Sequence, residues 1–365
     1  MQDALTFIAA TLRGESIAEP ESSFAAEVVE LARAQGVAPL LARYARRLRW
    51  HGEAAQRLAG LVAGEAAWSL ARTGELRRVL EGLAKNGVSA ILLKGAHLAH
   101  LYYASPEDRP HGDVDFLIHE TARAATGRVL QALGYQRLMH VTGDVAFTQV
   151  QYWRVDRTGL RHALDVHWRI CAPRVLADRL TWTELSEARC AIPALGPSAS
   201  GPSAGHALAI ACLHRTAHHD NSQRLIWMHD IHLLASCLTE SEWLEVTGLA
   251  VERGIAGVVS DGLAAAARWF GTCVPRVAAE RLASPGVASD PEALAFLQPG
   301  RARIHVLLSD FRALSGWRMR WRFAREHLFP SPDYIAHRYH TSSRTVLPFL
   351  YAHRVLTGWR RWMGD

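Results

Sequence analysis

Apolar positions along the chain change period twice. From residue 3 to about 86 they recur at helical spacing, in "SSFAAEVVELARAQG", "APLLARYARRLRW" and "GEAAQRLAGLVAGEAAWSLARTGELRRVLEGLAKNG". The last of these carries the period unbroken to a helix stop at Asn86-Gly87. The opening "MQDALTFIAATLRGESIAEP" reads as a short amphipathic helix. Then "VSAILLKG" and "DVDFLI" are short apolar runs of strand type, with "AHLAHLYY" predicted as a short helix between them. "ETARAATGRVLQALGY" returns to the helical period, with Leu130 and Leu133 on its apolar side. "VAFTQVQYWRV" and "LRHALDVHWRI" alternate like strands, and "DRTG" between them is a hairpin turn. Helices return after Pro173. "PALGPSASGPSAG" (193–205) has the Gly/Pro/Ser composition of a linker or loop. From about 205 onward the pattern is helical, with no internal repeat of fixed period. The predicted architecture is α+β: N-terminal helices over 1–87, a small mixed-sheet domain over 88–192, and an all-helical region over 205–365.

Composition refines this picture without changing its class. Hydrophobic residues make up 49% and charged residues 21% of the 365 positions, enough apolar material for a buried core. No apolar run approaches the ~18 residues of a membrane span, and the N-terminus lacks a signal-peptide pattern. The five cysteines are dispersed and form no CxxC pair. Reduced thiols and a cytoplasmic location are expected. The net charge of +6 is uneven: residues 301–365 carry 12 arginines against 4 acids, which leaves −2 for the rest. In "GWRMRWRFAREHLF" arginine alternates with tryptophan, a pattern shared by nucleic-acid surfaces, interfacial helices and ordinary amphipathic helices. The ordinary amphipathic reading is preferred. The slightly acidic remainder argues against a long nucleic-acid groove.

Only two of the 41 basic residues are lysine, Lys85 and Lys94. Lys94 stands at the end of an apolar strand, before Gly95. A strand-to-helix turn of that kind presents free N–H groups and a positive dipole end to an anion, and Gly95 removes a Cβ from the approach. Eighteen residues beyond Gly95, "GDVDFLI" places Asp113 and Asp115 on one face of a strand and Val114, Phe116 and Ile118 on the other. Two adjacent carboxylates repel unless a cation lies between them, and Mg²⁺ is commonly held by one or two carboxylates plus substrate phosphates. A turn at Gly112-Asp113 with a solvated Asp115 is the simpler alternative. Asp165 adds a third acid in mid-strand, on the same face as His167, where a lone carboxylate is costly. Were the two strands neighbours, three carboxylates would meet in a set able to hold two metals, and Asp165 could take a proton from an attacking hydroxyl. A cross-hairpin ion pair with Arg154 or Arg161 is the competing role for Asp165. Arg109, in the loop leading to the acids, is placed to reach a phosphate or to pair with Glu107 or Asp108.

These residues together resemble the DNA polymerase beta-like nucleotidyltransferase superfamily, and in particular its branch of uncharacterised nucleotidyltransferases. The matching motifs are "ILLKG", "LYYASPEDRPHGDVDFLI" and "LDVHWRI". The stretch "CLHRTAHHDNSQRLIWMHDIHLL" and the ending "FPSPDYIAHRY … LPFLYAHR" are also similar, so the resemblance spans roughly residues 80–361. It implies transfer of a nucleoside monophosphate from an NTP to an acceptor hydroxyl, with a small molecule, peptide or protein as acceptor and pyrophosphate as product. It also implies two Mg²⁺ ions, with Mn²⁺ as a substitute, held by Asp113, Asp115 and Asp165. Lys94, Gly95, Arg109 and Gly112 would bind the nucleotide. The phosphate turn departs from the superfamily's Gly-Gly or Gly-Ser, since Lys-Gly-Ala stands there. His167, His214, His218 and Asp230 are assigned to the acceptor side. His214 and His218 have the i, i+4 spacing of a zinc pair but lack the Glu of H-E-x-x-H, so lining of the cleft or packing is preferred. Asp230 would organise a nearby histidine or Arg224. Two further functions fit the same pattern: a nucleotide- or partner-binding module with little turnover, and a nucleic-acid end-modifying nucleotidyltransferase supported by the basic tail alone.

Overall fold

The computed structural model describes residues 3–138, 145–284 and 290–363. Five helices precede the first strand: α1 (Ala4–Leu12), α2 (Ser22–Ala34), α3 (Ala38–Arg47), α4 (Glu53–Val62) and α5 (Glu65–Lys85). The unbroken period between residues 52 and 87 is therefore divided at Ala63-Gly64. A glycine weakens a helix interior by about 1 kcal/mol relative to alanine, and the two halves serve different cores. Leu58 of α4 packs with the helical body, whereas Leu76, Val79, Leu80 and Leu83 of α5 cover the sheet.

The sheet region runs β1 (Ala90–Leu93), α6 (Lys94–Leu101), β2 (Val114–Ile118), α7 (Arg123–Ala132), β3 (Gln136–Arg137), β4 (Gln149–Val155) and β5 (Arg161–His167). Strand order is β1-β2-β5-β4-β3. The β2–β5 pair is parallel and the other pairs are antiparallel. The predicted β4–β5 hairpin is present, its turn held by Asp156 accepting from the N–H groups of Thr158 and Leu160.

Both faces of the sheet are covered. Leu92, Val114, Phe116 and Ile118 join α5 and α7 in one core. Ile91, Leu93 and Leu117 face the other way, into a larger core shared by α1–α4 and the helices that follow the sheet. Those are α8 (Arg174–Ala177), α9 (Trp182–Glu187), α10 (Ala204–His218), α11 (Leu225–Cys237), α12 (Glu240–Glu252), α13 (Ala256–Phe270) and α14 (Arg276–Ala283). Short α15 (Pro291–Ala295), then α16 (Arg303–Ala313), α17 (Trp317–Leu328), α18 (Pro332–Arg338) and α19 (Leu347–Met363) complete the described chain. Start signals are local: Thr239 and Glu242 form a reciprocal capping box at α12. None of the described helices is long and apolar enough to cross a membrane.

Of the two readings of the Gly/Pro/Ser-rich run 193–205, the loop is the one present, and it is ordered. It forms a small hairpin, β6 (Cys190–Ala191) with β7 (Ser200–Gly201), and it lends Leu195 and Ala199 to the sheet core. Small residues are needed there because β7 lies against the buried His97 ring, which occupies the place a Cβ on Gly201 would take. The composition thus reflects close packing as well as turns.

Candidate active site

β2 and β5 run parallel with Asp115 directly opposite Asp165. This register brings together two acids fifty residues apart in sequence. Leu93, the last residue of β1, lies opposite Asp115 from the other side. Lys94 therefore leaves the sheet beside the acids, and its ammonium reaches Asp115 Oδ1 at 2.6 Å. Lys94 opens α6 with φ of 50°, a left-handed backbone that is uncommon outside glycine and asparagine and tends to cluster at functional sites.

His167 Nε2 lies 2.8 Å from the same Asp115 oxygen. Burial alone would raise the Asp115 carboxyl, but Lys94 and the hydrogen bond with His167 outweigh it and hold the group well below the usual carboxylate range. Asp165 moves the opposite way. Burial and the Asp115 charge push it up to about 6, against hydrogen bonds donated by Gln151 (2.8 Å) and, more distantly, Gln149 (3.4 Å). Asp113 is likewise raised, by burial and then by Asp115. Neighbouring carboxylates thus sit in opposite protonation environments.

Asp115, Asp165 and His167 offer ligand atoms that all lie within 4.8 Å of one another, a set able to hold a metal ion. Asp113 lines the same cavity but stands outside that set. The pairing of Asp165 with Arg154 or Arg161 does not occur: Arg154 binds Glu75 of α5. His167 is fully buried behind Asp115, so its expected place facing an acceptor is corrected. It supports Asp115, because the parallel register points it inward.

The acids open into a cavity of about 690 Å³, a usual size for a small-molecule site. Lys94, Gly95, Gly112, Asp113, Asp115 and Asp165 form one wall. His214, His218, His219 and Trp227, from α10, α11 and the turn between them, also line the cavity. His219 stacks on Trp227 with ring centres 3.8 Å apart, and its Nε2 lies 2.9 Å from His214 Nε2. Burial, then Lys94, depresses all three imidazoles: His214 well below 6.5, His218 to about 3 and His219 to about 4. These three imidazoles therefore favour their neutral form at neutral pH, beside the Arg224 guanidinium that lies over Trp227.

Arg109 takes a role the sequence did not show. Its Nε donates to both Asp230 oxygens at 2.8 and 3.1 Å and its Nη2 donates to Oδ2 at 2.7 Å, while Nη1 donates to the Pro110 carbonyl. Tyr103 adds a hydroxyl donor to Asp230 at 2.7 Å. Neither Glu107 nor Asp108 is the partner; Asp108 pairs with Arg43 of α3 instead. This buried fork ties the loop before β2 to α11, and both of its members line the cavity. Gly95 also serves packing: a Cβ there would come within 2.9 Å of His111 Cβ, so the glycine lets the 109–112 loop lie against α6. Gly112 faces open space.

The fold and site define a class: an α+β protein with paired carboxylates on adjacent parallel strands, a lysine at a strand-to-helix turn, and a helical body closing the cavity. Residues 22–271 match the family described as "Uncharacterised nucleotidyltransferase", and the chain belongs to it. Nucleotidyl transfer is the general activity this membership supports. Among curated proteins no sequence matches the chain.

Proposed function

We propose that the protein transfers a nucleoside monophosphate from an NTP to a hydroxyl of a small-molecule, peptide or protein acceptor. The acceptor oxygen attacks the α-phosphorus, its bond to the bridging oxygen breaks, and pyrophosphate leaves. The observation that carries this reading is the parallel register that sets Asp115 against Asp165 in the lining of the cavity.

The residues present fit a divalent cation. Their donors are mainly carboxylate oxygens, as Mg²⁺ and Mn²⁺ prefer, and Asp115 is kept ionised while already paired with a positive charge. Asp115 and Asp165 would hold the ions with His167 at hand, and Asp113 adds a carboxylate at the cavity edge for a second ion. Bound there, Mg²⁺ supplies charge neutralisation of the triphosphate oxygens. The chain's own share is positioning and proton transfer. Asp165, set opposite Asp115 in the parallel register, would be placed to accept the acceptor's proton. Lys94 exchanges Asp115 for a phosphate once other positive charge neutralises that acid.

A nucleotide-binding module without turnover is the second reading, favoured by the Lys94–Asp115 pair, which already satisfies the acid that a metal would need. One assay separates them. Each labelled NTP is incubated with Mg²⁺ and cell extract, using wild type and Asp115→Ala. Transfer by wild type alone supports the enzyme. Nucleotide binding without transfer leaves the binding module, and equal transfer by both proteins refutes the acid site.

A further inference from the structure

The site needs positive charge for a triphosphate, and most of its cations are already engaged. Five arginine or lysine side chains line the cavity: Arg33, Arg72, Lys94, Arg109 and Arg224. Arg33 pairs with Glu30. Lys94 pairs with Asp115. Arg109 is locked in its buried fork with Asp230. Arg224 donates to the Ala34 carbonyl and lies over the Trp227 ring. Arg72 differs. It projects from α5, half-buried, and makes no hydrogen bond or ion pair among the described residues. Its neighbours on the cavity wall are His111, Gly112 and Asp113, the loop that delivers the acid strand. Gly112 leaves open space where a Cβ would stand.

We infer that Arg72 is the phosphate-binding arginine of the site, gripping the β- and γ-phosphates of the nucleotide against the open Gly112 turn. This rests on the nucleotidyltransferase reading and replaces Arg109 in that role. A guanidinium presents a planar fork suited to phosphate oxygens, and one without a competing carboxylate loses no ion pair when it binds. The long N-terminal helix α5 thereby completes the site as well as covering the sheet. It reaches the acid loop through packing on the turn at Pro106–Asp108.

The test is equilibrium binding by calorimetry, with Mg²⁺ and each of ATP, GTP, CTP, UTP and inorganic tripolyphosphate. Wild type is compared with Arg72→Met and Arg72→Lys, and melting curves check the fold of each. The expected result is a loss of about 10–100-fold in affinity for Arg72→Met, for tripolyphosphate as well as for the preferred NTP. Arg72→Lys should recover part of it, since charge is kept and the fork is lost. If wild type binds and folded Arg72→Met binds equally well, Arg72 is not the phosphate ligand and the nucleotidyltransferase reading stands. If wild type binds none of the four NTPs, that reading itself fails and the inference falls with it.

Discussion

Replacing Asp230 by alanine removes the acceptor for three guanidinium contacts and one tyrosine hydroxyl at once. Both members of the pair are deeply buried, with side chains 9% and 5% exposed. Arg109 cannot shed its proton to escape, because a guanidinium stays protonated inside proteins even where burial disfavours its charge. Asp230→Ala therefore leaves a buried guanidinium without a counter-charge, a change that typically costs about 3–5 kcal/mol. The unpaired Tyr103 hydroxyl adds about 1 kcal/mol or more. At about 2.1 cal/mol/K of unfolding entropy per residue, a chain of 365 residues shifts by roughly 1.3 °C per kcal/mol, so the melting temperature should fall by roughly 5–8 °C, read by differential scanning calorimetry. The double variant Arg109→Met/Asp230→Ala should lose clearly less than the sum of the two single variants, because neither charge is left alone. A drop under about 2 °C for Asp230→Ala, or strict additivity in the double variant, would refute the buried fork as a structural tie.

Two other perturbations probe the acids. Asp165 sits at about 6 in the folded chain against an ordinary 3.8, so the folded state holds that proton more tightly than the unfolded one. Its contribution to stability is full below about 4 and is lost as pH rises through about 6. Two pH units set a ceiling of about 3 kcal/mol, lowered by solvent screening. Asp165→Asn should flatten the fall in melting temperature between pH 4 and 7 and stabilise the metal-free protein at pH 7.5; an unchanged slope contradicts this environment. For Lys94→Met, paramagnetic resonance should show Mn²⁺ binding without nucleotide at least ~10-fold tighter than wild type. The ammonium that competes for Asp115 is gone, and two unit charges ~4 Å apart interact by roughly 4 kcal/mol at an effective dielectric of 20. Equal or weaker Mn²⁺ binding would show that Lys94 and the cation do not compete.

Much of the local structure was legible because it depends on local period. The strand pair around "DRTG" and the facing of Asp165 and His167 follow from alternation, and the short β1 and β2 from their apolar runs. The meeting of Asp115 and Asp165 was only conditional in the sequence, since nothing in either strand states its neighbour. The signal that was present and overlooked is "QVQ" in β4. Gln149 and Gln151 alternate with Val150 and, through the hairpin register, lie on the side of Asp165. Arg109 and Asp230 were each noticed, yet their pairing spans 121 residues and crosses from the sheet region to α11. No periodicity encodes such a contact. The 193–205 segment stayed open between linker and loop because Gly, Pro and Ser suit both a flexible linker and a hairpin squeezed against a ring, and only packing against His97 decides between them. The long N-terminal period hid its break at Gly64 because both halves are amphipathic, toward different cores.

The most direct test of nucleotidyl transfer is a double-label experiment. Each NTP is supplied in two forms, one labelled at the α-phosphate and one at the γ-phosphate, with Mg²⁺ and extract. Wild type should place α-label, and no γ-label, on an acceptor and release pyrophosphate, while Asp115→Ala should transfer neither. Incorporation of γ-label, or equal α-label transfer by Asp115→Ala, would contradict nucleotidyl transfer at the Asp115–Asp165 site.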